Sequence, residues 1–191
     1  MKIGLDFDNT LVGYDLVFQE AAKESRLIAE NWSGNKRQLR AYIRGLPNGE
    51  KHWQKLQGQV YGRWMHQAVM MDGAAWFLHR CRVQGIQIVI VSHKTEFGHH
   101  DLEKVPLRIV AKEWMKSQGF FDADGFDIDE NSVYFEDTRA RKIQRIISLQ
   151  VSHFVDDLPE VFQESEFPTT TAIESVVPIP RELTLALTAV S

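Results

Sequence analysis

Short β-rich runs alternate with amphipathic helical segments along most of this chain, and that order restricts the folds it can adopt. The clearest strand is "IQIVIVSHKT" (86–95), with five β-branched residues before Ser92. Other strands are predicted at "KIGLDF" (2–7), "SVYFED" (132–137), "SHFVDD" (152–157) and near residues 170–173. Alternating strands and helices favour an α/β fold, a Rossmann-like parallel sheet with helices on both faces.

A block of residues with helical periodicity separates the first two strands. Apolar residues recur three and four apart in three segments, broken at "SGN" and "GLPNG" (15–32, 35–46 and 50–70). Further helices are predicted over 72–85, 105–120 and 138–150, the first two closed by glycines. We therefore expect an α/β core of residues 1–14 and 72–191 with a small helical domain at 15–71. The Pro-interrupted tail after the last strand receives no assignment.

Composition excludes several classes of function. The chain has 191 residues with a net charge of −4, so no general attraction to nucleic acid or to an anionic membrane is expected. A single cysteine, Cys81, rules out an intrachain disulfide and a cysteine-based metal cluster. The N-terminus enters the first strand directly and no run approaches a membrane span, so we expect a cytoplasmic protein.

Polar residues follow the predicted strands where the strands end. In parallel sheets, ligands bind beyond the carboxyl ends of the strands, where residues far apart in sequence converge. The residues brought together by this rule are Asp6, Asp8 and Thr10 after the first strand, Ser92 in the second, Asp156 and Asp157 after the fourth, and Lys142 on the preceding helix.

This set of groups suits phosphoryl transfer through a covalent aspartyl-phosphate. A carboxylate can attack phosphorus and form an acyl-phosphate that water later cleaves. A divalent cation must screen the repulsion between carboxylate and phosphate, and oxygen ligands favour Mg²⁺. A second acid can move protons, while a hydroxyl and an ammonium hold the phosphoryl oxygens. The alternative for Asp156 and Asp157 is capping of a helix that begins near "LPEVF", which is compatible with metal ligation.

The motifs "DFDNT" (6–10), Ser92, Lys142 and "FVDD" (154–157), in this order, resemble the four motifs of the haloacid dehalogenase superfamily of hydrolases. The resemblance implies a phosphatase branch, because dehalogenating members lack the second acid, and it implies that the helical insertion is a cap. The resemblance implies that Asp6 is the nucleophile and a metal ligand, and that Asp8 is the general acid and base and binds the metal through its backbone carbonyl. It implies that Thr10 orients Asp8, and that Ser92 and Lys142 bind the phosphoryl group. Asp156 would ligate Mg²⁺ directly, whereas Asp157 would ligate it through water or support Lys142.

Two assignments have competitors in the sequence. We favour Lys142 as the phosphate-binding lysine, but Lys112 and Lys94 compete for that role. The loop "HKTEFGHHD" (93–101) contains three histidines and an aspartate, without the helical spacing of a metal site. We interpret it as a solvated or substrate-facing loop.

The sequence thus predicts a Mg²⁺-dependent phosphomonoesterase whose partner is a small phosphorylated metabolite, a sugar phosphate or a nucleoside monophosphate. Two alternatives remain open: a non-catalytic domain that binds a phosphorylated ligand or a protein, and a phosphotransferase. The retained Asp8 argues against a pure binder, which needs no general acid. The sequence does not predict the oligomeric state.

Overall fold

The computed structural model describes residues 1–100 and 102–174. Asp101, from the predicted histidine loop, and the unassigned tail from residue 175 onward lie outside the described residues. The chain divides into two compact units. One, here called the α/β unit, contains residues 1–13 and 70–95 and the described residues from 115 onward; the other, the helical unit, contains residues 14–69 and 96–114.

A five-stranded parallel sheet forms the centre of the α/β unit. Its strands are β1 (Lys2–Leu5), β4 (Gln87–His93), β5 (Val133–Glu136), β6 (His153–Val155) and β7 (Ala172–Glu174). Their order in the sheet is β5-β4-β1-β6-β7. Two shorter strands, β2 (Val12–Gly13) and β3 (Val69–Met70), lie where the chain passes between the two units. The predicted parallel α/β sheet is confirmed.

The register of the sheet brings the ends of β1 and β6 together, beside β4. Leu5 at the end of β1 pairs with Ile90 of β4 on one side and with Val155 at the end of β6 on the other. Because these strands are parallel, the residues that follow Leu5 and Val155 emerge side by side. All three paired residues are fully buried, so the site at this edge is built on a rigid core.

Helices of the α/β unit cover the sheet. They are α4 (Ala74–Val83), α6 (Arg139–Leu149) and the short α7 (Pro159–Phe162). The α6 helix packs on β4 and β5, and Ile143 and Ile146 of that helix join Val89, Val91 and Phe154 in the apolar core. The first turn of α6 therefore lies close to the strand ends. Its N-terminus is capped by the Thr138 side chain, which accepts a hydrogen bond from the Arg141 N–H.

Gly4 in β1 makes room for an aromatic ring at the centre of the sheet. It pairs directly with Phe154 of β6, and a Cβ on Gly4 would lie 2.5 Å from Phe154 Cδ2. Only glycine fits this position without displacing the ring.

The helical unit contains α1 (Asp15–Glu24), α2 (Lys36–Arg44) and α3 (Gly49–Tyr61), with α5 (Leu107–Ser117) crossing from this unit into the α/β unit. Its core is aromatic: Phe18 stacks on Trp53 with ring centroids 5.0 Å apart, and Tyr14 meets Tyr61 edge to face at 4.9 Å. Asn35 and Gln38 form a capping box at the start of α2.

Three sequence predictions differ from the structure in detail. The first helix was expected to reach residue 32 but ends at Glu24, because Arg26 adopts a left-handed conformation (φ 55°). The third was expected to reach residue 70 but ends at Tyr61, followed by a 3₁₀ turn (Met65–Gln67) and β3. Residues 96–114 cluster with the helical unit, whereas the predicted domain boundaries place them in the core.

In the described part of the chain, the helices are all too short or too polar to cross a bilayer.

Candidate active site

A tight turn after β1 sets the positions of Asp6 and Asp8. The Phe7 carbonyl accepts hydrogen bonds from the N–H groups of Thr10 (3.3 Å), Leu11 (2.9 Å) and Val12 (3.2 Å). Asn9 takes up the left-handed conformation that closes the turn (φ 59°), which asparagine tolerates better than most residues. The turn leaves Asp6 buried (4% exposed) while the Asp8 side chain keeps some solvent access.

Lys142 bridges two buried carboxylates at the ends of β1 and β6. Its Nζ donates to Asp6 Oδ1 at 2.5 Å and to Asp156 Oδ2 at 2.7 Å. The two aspartates are adjacent because the Asp6 N–H extends the β1–β6 ladder by donating to the Val155 carbonyl at 2.8 Å. Lys142 is 3% exposed and Asp156 is fully buried, so all three charges depend on one another for compensation.

Burial and charge change the acidity of these groups. Desolvation, opposed by the attraction of Lys142 and reinforced by the negative charges of Asp156 and Asp8, raises the pKa of Asp6 to about 7. Burial alone would lower the pKa of Lys142, but the charges of Asp6 and Asp156 outweigh burial and raise it. The lysine therefore stays an ammonium, while the Asp6 carboxyl group binds and releases a proton near neutral pH.

Asp6, Asp156 and Asp157 form the acidic cluster. Each offers a carboxylate oxygen, and these oxygens lie within 4.8 Å of one another. Asp156 Oδ1 also accepts a hydrogen bond from the Leu158 N–H at 3.0 Å, which fixes the carboxylate at the start of the turn into α7. Three hard oxygen donors at this spacing fit Mg²⁺.

The charges of the site also fit a divalent cation. With every group ionised, the four carboxylates of Asp6, Asp8, Asp156 and Asp157 and the two ammonium groups of Lys94 and Lys142 carry a net formal charge of −2. A dication would neutralise this charge.

A second buried lysine reaches Asp8. Lys94 Nζ lies 2.9 Å from Asp8 Oδ2 and 3.1 Å from Asp8 Oδ1, and the residue is 3% exposed. Sequence reasoning named Lys94 only as a competitor for the phosphate-binding role and missed this ion pair. Its position two residues after Ser92, at the end of a buried strand, was the available signal. The third candidate, Lys112, belongs to the helical unit.

The two predicted hydroxyl groups are both buried in the α/β unit. Ser92 lies in β4, where it pairs with Phe135 of β5, and is 1% exposed. Thr10 is fully buried, and its Oγ1 has no hydrogen-bond partner among the described residues. The described residues thus show no hydrogen bond between Thr10 Oγ1 and Asp8, although the resemblance assigns Thr10 the role of orienting it.

The histidine loop does not form a metal site in its described part. The single group of metal-binding side chains found among residues 1–100 and 102–174 is the acidic cluster. His93 instead lies with its Nε2 atom 2.9 Å from the Asp137 carbonyl oxygen, which ties the start of the loop to the end of β5.

Comparisons with known proteins identify the fold. Neither the known protein-family models nor the curated protein sequences give a match to this chain. Among solved structures, a haloacid dehalogenase-like hydrolase from Streptococcus pneumoniae superposes with a TM-score of 0.53 and 14% identity, over 85% of this chain and 78% of the other. A proposed haloacid dehalogenase-like hydrolase from Bacteroides fragilis gives a TM-score of 0.53 and 15% identity, over 97% of this chain and 92% of the other.

A proposed phosphoglycolate phosphatase from Lactobacillus plantarum superposes with a TM-score of 0.50 and 14% identity, over 85% of this chain and 79% of the other. At such low identity the superpositions bear on the fold alone. The chain has the haloacid dehalogenase-like fold that the strand-end motifs predicted.

Proposed function

We propose that this protein is a Mg²⁺-dependent phosphomonoesterase that hydrolyses a small phosphorylated metabolite through an aspartyl-phosphate on Asp6. The observation that carries the proposal is the buried Asp6–Lys142–Asp156 arrangement at adjacent strand ends, with Asp8 two residues from Asp6. Buried charges of this kind are costly for stability alone, and they match the groups that phosphoryl transfer needs. The similarity to a proposed phosphoglycolate phosphatase supports a small phosphorylated substrate.

In the first step, a carboxylate oxygen of Asp6 attacks the phosphorus atom. A bond forms between Asp6 and phosphorus, and the bond from phosphorus to the ester oxygen breaks. Asp8, in its protonated form, gives its proton to the leaving oxygen, so that the product departs as an alcohol. Asp6 must be ionised to attack, which its pKa of about 7 allows at and above neutral pH.

In the second step, water cleaves the aspartyl-phosphate. Asp8, now a carboxylate, accepts a proton from the attacking water. The new bond between the water oxygen and phosphorus replaces the bond to Asp6, which releases inorganic phosphate and regenerates the Asp6 carboxylate. Asp8 is again protonated and ready for the next substrate.

Mg²⁺ would be held by the side chains of Asp6 and Asp156, by the backbone carbonyl of Asp8, and by Asp157 directly or through water. When bound, it supplies positive charge that screens the carboxylates from the phosphoryl group. Lys142 then divides its hydrogen bonds between Asp6 and the phosphoryl oxygens, and Ser92 offers a hydroxyl donor to the same group. We propose Thr10 as a support of the turn that carries Asp8.

We extend the proposal to the helical insertion, residues 15–71, as a cap that selects the substrate. Trp53 is 2% exposed and stacks on Phe18, so its ring serves packing. Lys36 Nζ lies 4.7 Å from the Phe18 ring centroid, which places a cation on this aromatic core.

We also propose a cytoplasmic location, in which the buried Cys81 thiol stays reduced.

A phosphate-release assay over a panel of phosphorylated metabolites, with Mg²⁺ and with EDTA, tests the proposed function. We expect release that needs Mg²⁺ and is lost in Asp6→Asn, while Asp124→Asn, which changes an exposed carboxylate of the same unit, matches wild type. Acid-quenched wild-type protein should carry a phosphoryl group that hydroxylamine removes. Wild-type protein that releases no phosphate from any substrate, or Asp6→Asn protein as active as wild type, would show that the proposal is wrong.

A further inference from the structure

Lys94 forms an ion pair with Asp8 that no role assigned so far explains. Its Nζ contacts both carboxylate oxygens of Asp8, at 2.9 and 3.1 Å, and its side chain is 2% exposed. Burying an ammonium costs several kcal/mol unless a carboxylate compensates it, so the contact is a built feature of the α/β unit. We infer that Lys94 is the positioning residue for the Asp8 carboxylate, an inference that rests on the proposed function.

The backbone around Lys94 fixes where its side chain begins. The Lys94 N–H donates to the Glu136 carbonyl at 2.9 Å, which extends the β4–β5 ladder one residue beyond the end of β4. The His93 ring contacts the Asp137 carbonyl oxygen next to it. Lys94 Nζ also lies 5.6 Å from the centroid of the Phe7 ring, which adds a cation–π contact. The ammonium is thus held between the edge of the sheet and the turn that carries Asp8.

Thr10 does not supply this contact. The resemblance assigns it the orientation of Asp8, but its hydroxyl has no hydrogen-bond partner within the described residues. Thr10 contributes a backbone N–H to the Phe7 carbonyl and so shapes the turn. The Asp8 side chain itself is held by Lys94.

The orientation of Asp8 affects only steps in which it moves a proton. In the first step one oxygen of Asp8 carries the proton and passes it to the ester oxygen as the phosphorus–oxygen bond breaks, while the other oxygen still accepts a hydrogen bond from Lys94 Nζ. An alkoxide leaving group needs that proton, whereas p-nitrophenolate leaves without one. Loss of the positioning residue should therefore slow the cleavage of alkyl phosphates and spare p-nitrophenyl phosphate, a pattern that general damage to the fold does not produce.

The kinetic test compares Lys94→Met with wild type on p-nitrophenyl phosphate and on the best alkyl phosphate of the panel, using kcat/KM, which reports on steps up to phosphorylation of Asp6. We expect kcat/KM for the alkyl ester to fall by about 100-fold in Lys94→Met, the effect of misplacing a catalytic group, and kcat/KM for p-nitrophenyl phosphate to change by less than about threefold. Asp8→Asn should show the same pattern, and the double variant should lose no more than Asp8→Asn alone. Lys94→Arg should recover part of the loss, and Lys116→Met, at an exposed site, should match wild type.

A crystallographic comparison tests the positioning independently of activity. In Lys94→Met the Asp8 carboxylate should leave its wild-type rotamer, while in Thr10→Val it should keep it. Equal losses on both esters, or an Asp8 side chain unmoved in Lys94→Met, would overturn the inference and leave the proposed function standing. If wild type hydrolyses neither ester, the proposed function fails, and the rotamer of Asp8 then decides the inference alone.

Discussion

Lys142 is the residue on which the charge balance of the candidate site depends most. It separates two carboxylates that are almost inaccessible to solvent, with contacts of 2.5 and 2.7 Å. Removing it from metal-free protein would leave these carboxylates facing each other. We expect Lys142→Met to lower the free energy of unfolding by about 3 kcal/mol at pH 8, because breaking a buried ion pair leaves an uncompensated charge. Urea unfolding in EDTA measures the change.

Lys116→Met is the matched control for this substitution, because Lys116 is exposed in the same unit. The loss in Lys142→Met should shrink at pH 5, where Asp6 can bind a proton. A loss below about 1 kcal/mol at pH 8 would contradict the idea that Lys142 compensates both carboxylates.

Asp156 is the residue through which a metal requirement can be tested without an activity assay. A ligand that binds only the folded state stabilises it by mass action, by about 2.7 kcal/mol at 100 times its Kd. We therefore expect saturating Mg²⁺ to raise the Tm of wild type by about 5–10 °C for a chain of this size. Asp156→Asn should lose most of that shift, and Asp124→Asn should keep it. A Tm unaffected by Mg²⁺ in wild type would contradict the metal site.

Single residues also show where sequence reasoning succeeds. A buried strand that ends in aspartate is visible as an apolar run followed by a charge, so Asp6 and Asp156 could be predicted to converge once a parallel sheet was assumed. The pairing of Lys94 with Asp8 was not predicted, although the position of Lys94 two residues after Ser92, at the end of a buried strand, indicated that it lies near the site. The two residues are 86 positions apart, and their contact depends on the hydrogen bond from the Lys94 N–H to the Glu136 carbonyl. No periodicity in the sequence encodes such a bond.

At the scale of elements, β1 and β6 meet through a glycine opposite a phenylalanine. A Cβ on Gly4 would lie 2.5 and 2.9 Å from two atoms of the Phe154 ring, and that ring lies 5.5 Å from Lys142 Nζ. We expect Gly4→Ala to lower the free energy of unfolding by about 1–3 kcal/mol, because the ring must move in a closely packed core. Urea unfolding checks the value.

A second substitution distinguishes this clash from a general intolerance of alanine in β1. Phe154→Leu removes the ring atoms that the new methyl group would meet, so the double variant should be more stable than the sum of the two single losses predicts. Additive losses would argue against a steric cause.

The ends of helices were the features hardest to predict from the sequence. The apolar spacing after Glu24 continues as in a helix, yet the chain turns at Arg26, where the backbone N–H bonds to the Lys23 carbonyl. An arginine carries no sequence signal for a left-handed conformation, unlike the glycines at 85 and 119, which do end their segments with positive φ. The assignment of residues 96–114 to the helical unit depends on tertiary contacts, which periodicity does not report.

At the scale of the whole molecule, the raised pKa of Asp6 links folding to pH. Asp6 titrates near 7 in the folded protein, against an ordinary value of 3.8, because burial disfavours its charged form. Between these values the folded state holds a proton that the unfolded state has lost. The contribution of Asp6 is therefore most favourable below about pH 4 and is lost as pH rises toward 7.

We accordingly expect the unfolding free energy of metal-free wild type to decline more steeply between pH 4 and 7 than that of Asp6→Asn, which cannot titrate at this position. Urea titrations in EDTA at several pH values provide the comparison. Identical pH profiles for the two proteins would show that burial does not shift the acidity of Asp6.

The central place of β1 in the sheet also has a consequence for how the protein is made. Ile3 pairs with Ile88 and with His153, so β1 is synthesised before both of its partner strands, which follow about 85 and 150 residues later. At about 5–20 residues per second, the second edge of β1 stays open for roughly 8–30 s. Contacts of such long range also slow folding. A nascent chain halted before β6 would thus expose an apolar strand edge, the kind of surface that pairs with other chains and aggregates.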